Sequence, residues 1–473
     1  MLLEKKWFIT DFKNIGKQEF LRPDFGYRYF FDIQEAKIFS VKNSINLKSI
    51  LNPVETKKIA KGELKEPEIL VDIDNIERRF NNLINCEEVI EIGSDKNILF
   101  KGDIIIPKMR PWLGGIFLNT EHNKYVGSSE LLEYEITPNN NPHFIYYLFT
   151  TEKFLSNLVK LKNGNSHKRV NQKDLLKIQT PNVPSFIQDQ LVAEIEPIEK
   201  KIKTLKSSIK EPQEIINQTF AREFDFNLEK FENLKKEKFF EVNFCDISKS
   251  NLIRSSSHFH HKKTWIIEEK LKDKKIWTLV NHIFKLSGGG IIPKGETFSD
   301  VETDYFYLRP KEINFWEIDK NSIPWLSAEL YNKLKKYKII SGELCISIIG
   351  TVGKTALINT DNLEINKENL ILNGNFLRLS PKQEINHQFY YYYFYSFIFQ
   401  AQANREYTIT TIKALGIDKW NYIKVPNIPL SKQEKIVKEI EIELEEQKQW
   451  EEKIEIERNK IDEIINDYLK KGK

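Results

Sequence analysis

Two stretches of this chain are one design written twice. Ile178, Pro181, Asn182, Pro184, Gln188, Val192, Glu194 and Ile195 recur as Ile423, Pro426, Asn427, Pro429, Gln433, Val437, Glu439 and Ile440, each pair 245 positions apart without a gap. The same separation carries Phe144, Tyr146, Tyr147 and Phe154 onto Phe389, Tyr391, Tyr392 and Phe399. Self-similarity at a fixed period reports architecture before any single residue does, and this period far exceeds a solenoid unit. It implies two whole domains, each followed by the same connecting element. A chain with two similar heads is suited to touching two similar things at once.

The connecting element reads as a helix. Leu191, Ile195, Ile198, Ile202, Leu205, Ile209 and Ile216 fall at alternating steps of four and three, with Pro212 in the one missing place. That is a heptad seam, which buries one stripe against another helix; an amphipathic helix packed on its own domain remains the alternative. In the second copy Ile436, Ile440, Trp450, Ile454 and Ile461 hold the matching positions, and Glu443, Gln447 and Glu457 fill the rest. Polar members weaken a seam and can specify register or partner. Two seams on one chain suggest that they pair. Pro197 and Pro212 each remove a backbone donor, so the first connector is expected to be bent or split into two shorter helices.

Ahead of each connector lies a mixed α/β domain. In the first, Ile69–Ile73, Ile104–Ile106 and Ile116–Leu118 read as strands, and a helix is expected from Pro142. Tyr305–Leu308, Leu344–Ile346 and Ala356–Ile358 hold the corresponding places in the second. Asn163–Ser166 and Ser287–Gly290 read as loops. Arg22–Phe25 and Arg254–Ser257 are a weak further echo at the leading edges. The expected boundaries are 1–184 and 233–429 for the domains, 185–232 and 430–473 for the helical connectors.

The 473 residues, 40% hydrophobic and 30% charged, allow two or three domains with buried cores. No apolar run approaches a membrane span, and the start lacks the pattern of a signal peptide. With three scattered cysteines, a reducing cytoplasm is expected. Net charge is only +4, so global charge announces no polyanionic partner. Any such contact must rest on local cations, with acids gathered elsewhere, as along Glu439–Glu457.

Gly350-Thr351-Val352-Gly353-Lys354-Thr355 brings a phosphate-binding loop to mind, but only two residues separate its glycines where that loop needs four. A tight turn exposing a lysine fits better. His258, His260 and His261 cluster without further ligands at coordination spacing, so packing or surface roles are favoured over a metal. No catalytic constellation is recognisable. Candidate nucleic-acid contacts recur on loops of both copies. Lys108, Arg110 and Trp112 share one turn of the first, and Lys162, Asn165, His167, Lys168 and Arg169 form its second cluster. In the other domain the candidates are Lys285 and Lys294 around the triple glycine, Lys354 and Thr355 on the turn, and Arg405, Tyr407 and Lys413 beyond. Cations contact phosphates, while Arg, Asn and hydroxyls can read base edges. Each cluster alone also fits plain solvated surface; recurrence at equivalent places is what recommends them.

The chain resembles the specificity subunit of Type I restriction–modification systems. The resemblance is carried by the paired turns Lys101–Ile106 and Ser341–Ile346, by the aromatic helices at Phe144–Phe154 and Phe389–Phe399, and by Pro181-Asn182-Val183-Pro184 and Pro426-Asn427-Ile428-Pro429, each leading through Gln188 or Gln433 into a heptad helix. It implies an α+β chain: two similar mixed α/β target-recognition domains joined by two long helices packed as an antiparallel coiled coil. It further implies that the two domains read the halves of a split double-stranded DNA target. Two methyltransferase subunits using S-adenosylmethionine and motor-nuclease subunits using ATP and Mg would be the partners, with no catalysis or cofactor on this chain itself. The second copy keeps the family's Ser347 and its Gly-x-x-Gly turn; the first departs at Pro107 and Met109–Trp112, so the heads are expected to present different surfaces. A helix from about Ser185 to Phe220 would span about 50 Å, or about 15 base pairs. A recognition subunit of a related system cutting on both sides of its site, and a coiled-coil scaffold that binds no DNA, remain as alternatives.

Overall fold

The computed structural model describes residues 30, 34, 36–39, 43–55, 57–102, 104–120, 122–164, 168–234, 241, 260–314, 318–358, 369–409 and 412–471. The echo between Arg22–Phe25 and Arg254–Ser257 lies outside them, as do His258 and Cys245. The chain divides into two compact units, Met1–Ser208 with Trp450–Lys473 and Ile209–Gln449.

Each unit holds a four-stranded antiparallel sheet of one topology. In the first the spatial order is Leu51–Pro53, Leu131–Ile136, Ile104–Pro107, Phe117–Leu118; in the second it is Phe284–Gly288, Phe376–Pro381, Leu344–Ser347, Thr355–Leu357. A parallel pairing also recurs: Leu70 lies opposite Val126, and Tyr307 opposite Ile371. So does an antiparallel pair that ties the front of each domain to its end, with Ser44 opposite Pro181 and Trp277 opposite Pro426. Among the described residues, the first unit extends its parallel pair into a five-stranded sheet that includes Lys58–Ile59, Lys96–Phe100 and Glu87–Val89, and the second keeps a two-stranded one. The strand expected over Ile69–Ile73 runs instead over Glu68–Val71, because Asp72 caps a one-turn helix at Ile73–Asn75.

Ser287–Gly290 is not the loop that glycine content suggested. Ser287 and Gly288 belong to a strand, paired with Arg378 and Leu377. Gly289 is required by close approach: a Cβ there would stand 2.0 Å from the Asn373 carbonyl oxygen. Glycine here serves backbone-to-backbone packing and not flexibility.

The repeated glutamine now has a physical reason. Helix Pro142–Phe149 begins at Asn141, whose side chain accepts from the His143 and Phe144 N–H groups. Gln188 Oε1 accepts the Asn141 N–H (2.7 Å), while its Nε2 donates to the Val183 carbonyl (2.7 Å). In the other unit Gln433 makes the same pair of bonds to Asn386 N–H (2.9 Å) and the Ile428 carbonyl (2.8 Å), and Asn386 caps helix His387–Tyr395. Both glutamines are buried. Removing one takes the partner from two backbone groups that are at least partly buried, at up to about 1–3 kcal/mol each. Gln188→Ala is therefore expected to lower the urea midpoint of the first unit's transition, and Gln433→Ala that of the second.

The aromatic helices are buried on nearly every side, Phe144–Phe149 in one unit and Phe389–Tyr395 in the other. Buried tyrosine hydroxyls usually find acceptors, and those of the second unit's helix do. Tyr390 donates to the Pro426 carbonyl (2.7 Å), Tyr393 to Lys424 (2.6 Å) and Tyr395 to Thr355 (2.6 Å). Burial pushes the Tyr395 hydroxyl up to about 12, so it remains a neutral donor.

The first connector is split, as its prolines require. Helix Ser185–Ser207 contains Pro197 and continues past it; Pro212 opens a second helix, Pro212–Glu223, where a missing N–H costs nothing. The second connector is one helix, Leu430–Lys471. Within the second unit the pairs Glu223–Lys432, Arg222–Glu439 and Lys210–Glu443 set the strands of helix antiparallel. Gln447, a polar seam position, accepts the Lys210 N–H (2.9 Å) where the first connector is broken. Within the first unit Lys201 meets Glu457 at 2.6 Å, and Lys201 with Lys460 hold that carboxyl below its usual range.

The ends of both connectors dock by one scheme. In the second unit Gln213 Nε2 donates to the Tyr395 carbonyl (2.6 Å) and Asn217 Oδ1 accepts the Phe397 N–H (2.8 Å). At 245 positions further, in the first unit, Arg458 Nη2 donates to the Thr150 carbonyl (3.0 Å) and Asp462 Oδ2 accepts the Glu152 N–H (2.8 Å). Amides do on one unit what an ion pair does on the other. Arg458 is only 1% exposed.

Candidate nucleic-acid interface

In the first unit the structure brings the two candidate clusters together. Strand Ile104–Pro107 runs out into the turn at Lys108–Leu113, and Met109 forms a bridge with Arg169. Arg110 N–H donates to the Lys168 carbonyl (3.2 Å), and Val170 N–H to the Lys108 carbonyl (2.8 Å). Asn163 and Arg169 exchange two bonds of 2.8 Å, which closes the second loop. Asn165 and His167 lie outside the described residues.

The second unit repeats this bracing. Ile349 bridges Ala414, Gly350 N–H donates to the Lys413 carbonyl (2.9 Å), and Leu415 N–H to Ile348 (2.8 Å). Thr408–Ile409 pairs with Lys413–Ala414 where Asn163 pairs with Arg169. One late loop is thus stitched to one inter-strand turn in both units, by the same backbone bonds. A platform so fixed can present side chains without losing order on binding.

The side chains on the platforms fare differently. Lys108 reaches the Ser129 carbonyl (2.7 Å), and Trp112 is half-buried beside it in sequence. Lys162 is exposed. Lys168 folds back to the Gly164 carbonyl (2.6 Å). Arg169 is held by both oxygens of Glu130, at 3.0 Å each, which raises its proton affinity and neutralises it locally. Arg110 is exposed and lines a cleft of about 440 Å³ with Arg78, Asp74, Glu77, Ile76, Ile84 and Met109.

In the second unit three candidates turn inward. Lys354 is not the exposed lysine expected of a tight turn: it is half-buried, and its ammonium donates to the Ile313 carbonyl (3.0 Å). Thr355 is 1% exposed on strand Thr355–Leu357 and donates to the Gly353 carbonyl, so it presents no surface. Arg405 forms ion pairs with Glu268 and Glu406. Lys413 remains exposed, stacked over the Tyr407 ring at 5.3 Å, and Lys285 and Lys294 are exposed as well. Arg78 was not anticipated from sequence. Nothing local separates it from Arg79, which is tied to Glu455 (2.9 Å) and Asp462 (3.1 Å).

No group of His, Cys, Asp or Glu among the described residues is arranged to hold a metal. Cys86 and Cys345 are free thiols, both pushed up by burial. No helix among the described residues is long and apolar enough to cross a membrane. The first unit offers braced backbone, cations and an arginine-lined cleft, and the second offers braced backbone, cations and an aromatic–lysine pair. These are means of binding and reading a polyanion.

Residues 280–465 match the model of a family described as the Type I restriction modification DNA specificity domain. Among solved structures, the chain is similar to one of a type I R-M system, with 15% identity over 91% of this chain and 97% of that chain and a TM-score of 0.43. It is also similar to the HsdS subunit from Thermoanaerobacter tengcongensis (14% identity, 91% and 96% covered, TM-score 0.33). A third is the S subunit of a Type-I restriction-modification system from M. genitalium (13% identity, 92% and 96% covered, TM-score 0.34). No curated protein matches the chain.

Proposed function

We propose, from the premise that residues 280–465 are a Type I restriction modification DNA specificity domain, that the chain is the DNA sequence-specificity subunit of a Type I restriction–modification complex. The observation that carries this to the whole chain is the platform of the first unit. Residues outside the matched segment, from Ser44 to Pro181, repeat its sheet order, its parallel pairing and its turn-to-loop bonds. Two readers on one chain fit a target in two halves with an unread gap between them. On this reading methyltransferase subunits carrying S-adenosylmethionine, and motor-nuclease subunits using ATP and Mg, perform the chemistry, and this chain performs none.

The test is recovery of the target. The full chain, co-expressed with a Type I methyltransferase subunit, is expected to place methyl groups at one two-part sequence across the host genome. Duplexes with that sequence should bind the chain about a thousandfold or more tighter than random duplex, with affinity falling steeply as salt rises. Methylation at unrelated sequences, or equal binding to all duplexes, would count against it.

A further inference from the structure

We infer that Arg110, with Arg78 beside it, reads a guanine through its base edge in the half-site taken by the first unit, and that the second unit reads its half-site by other means. This rests on the specificity-subunit reading above and adds to it which residue reads a base.

Three observations meet at Arg110. The first is its backbone. Arg110 stands at φ 51°, ψ 43°, in the left-handed region, and is followed by Pro111. Side chains avoid that region, and a residue before proline is normally driven to extended geometry. The equivalent place in the second unit, by the Gly350–Lys413 and Arg110–Lys168 bonds, is Gly350 at φ 81°. A Cβ at Gly350 would meet nothing within 4 Å, so glycine is there for its backbone freedom alone. The first unit thus accepts strain in order to place an arginine where glycine would sit unstrained. Strain retained on a rigid platform points to a functional side chain.

The second observation is that this arginine is unengaged. Among the described arginines, Arg79, Arg169, Arg222, Arg309, Arg405 and Arg458 are ion-paired and Arg378 donates to Ser287. No described residue accepts a bond from the guanidinium of Arg110 or of Arg78, and both are exposed. Neither proximity in sequence nor charge pairing explains why these two share one cleft.

The third is the cleft itself. Its wall carries the two arginines, Asp74 and Glu77, the last paired with Lys206, together with Ile73, Ile76, Ile84, Met109 and Leu113. The Asp74 carboxylate, with no ion-pair partner among the described residues, repels a phosphate. A base edge, with its donors, acceptors and apolar face, suits a mixed wall better. Arginine's fork matches the O6 and N7 acceptors of guanine in the major groove, where no other base offers that pair.

The experiment selects duplexes from a randomised pool with the full-length chain and two variants. Arg110→Gly restores the residue type of the second unit and relieves the backbone, so its thermal midpoint should equal or exceed that of the parent chain. Arg110→Lys keeps the charge but loses the fork. Both should lose preference for guanine at one position of one half-site, leaving the other half-site intact. Affinity of Arg110→Gly for the selected target should fall about 10- to 100-fold. If Arg110→Lys keeps the guanine, or if Arg110→Gly weakens all duplexes alike, the arginine is a phosphate contact and the inference is wrong. If the parent chain itself selects no two-part sequence, the specificity-subunit reading fails first, and this one with it.

Discussion

Replacing Arg458 by alanine should destabilise the first unit by about 3–5 kcal/mol, the cost of breaking a buried charge pair from one side. Arg458 is wholly enclosed, and its guanidinium donates to the Arg79 carbonyl (2.9 Å), to Asp462 (2.8 Å) and to both the carbonyl and hydroxyl of Thr150 (3.0 and 2.8 Å). Removing it leaves Asp462, largely buried, with Arg79 but without its Arg458 partner, and the Thr150 carbonyl without its donor. Asp462 in turn binds Arg79 (3.1 Å) and the Glu152 N–H (2.8 Å), so the loss spreads to the loop that Arg79 anchors. Differential scanning calorimetry should show the transition of the first unit lowered by roughly 10 °C or more, with that of the second nearly unchanged. Arg458→Gln is the informative companion. Glutamine stands at the equivalent place in the second unit, as Gln213, where it serves the same helix-end carbonyl. It should recover part of the loss if Asp462→Asn is added, because Asn217 is the natural neighbour of Gln213. A single Arg458→Ala variant that unfolds like the parent chain would show that solvent reaches this pocket more freely than its burial indicates.

Shortening the connectors is expected to change the gap between half-sites and nothing else about the target. One helical turn measures about 5.4 Å, against about 3.4 Å per base pair. Deleting about one turn within 201–210, together with the matching turn 245 positions later, keeps the antiparallel register seen at Arg222–Glu439 and removes length from both struts. The unread gap should shorten by one or two base pairs, with both half-sites retained. Methylome sequencing of the co-expressed complex reads this directly. Altered half-sites with an unaltered gap would mean that the helices do not measure the target.

Much of this architecture was legible in the sequence, for reasons that are local. A heptad seam needs only apolar residues at steps of four and three. A helix start needs only a proline such as Pro142 in its first turn, and a break needs only a proline such as Pro212. Even the glutamine that follows each Pro-x-x-Pro stretch could be picked out as shared, though its task of closing the cap at Asn141 or Asn386 could not. The candidate surface was partly legible: the turn at Lys108–Trp112 and the loop at Lys162–Arg169 were both suspected, and backbone bonds join them.

Which cations are free to meet DNA was not legible. Arg169 is answered by Glu130, Arg405 by Glu268, and Lys354 by the Ile313 carbonyl, each partner distant in sequence. Arg78 and Arg79 are chemically identical neighbours, yet one is bound to the C-terminal helix and the other faces a cleft. Duplication, helix position and helix ends were determined by sequence alone, because periodicity and capping act within a few residues. The availability of a charge, the strain at Arg110 and the burial of Arg458 were decided only by tertiary structure, because each depends on what the folded chain brings alongside.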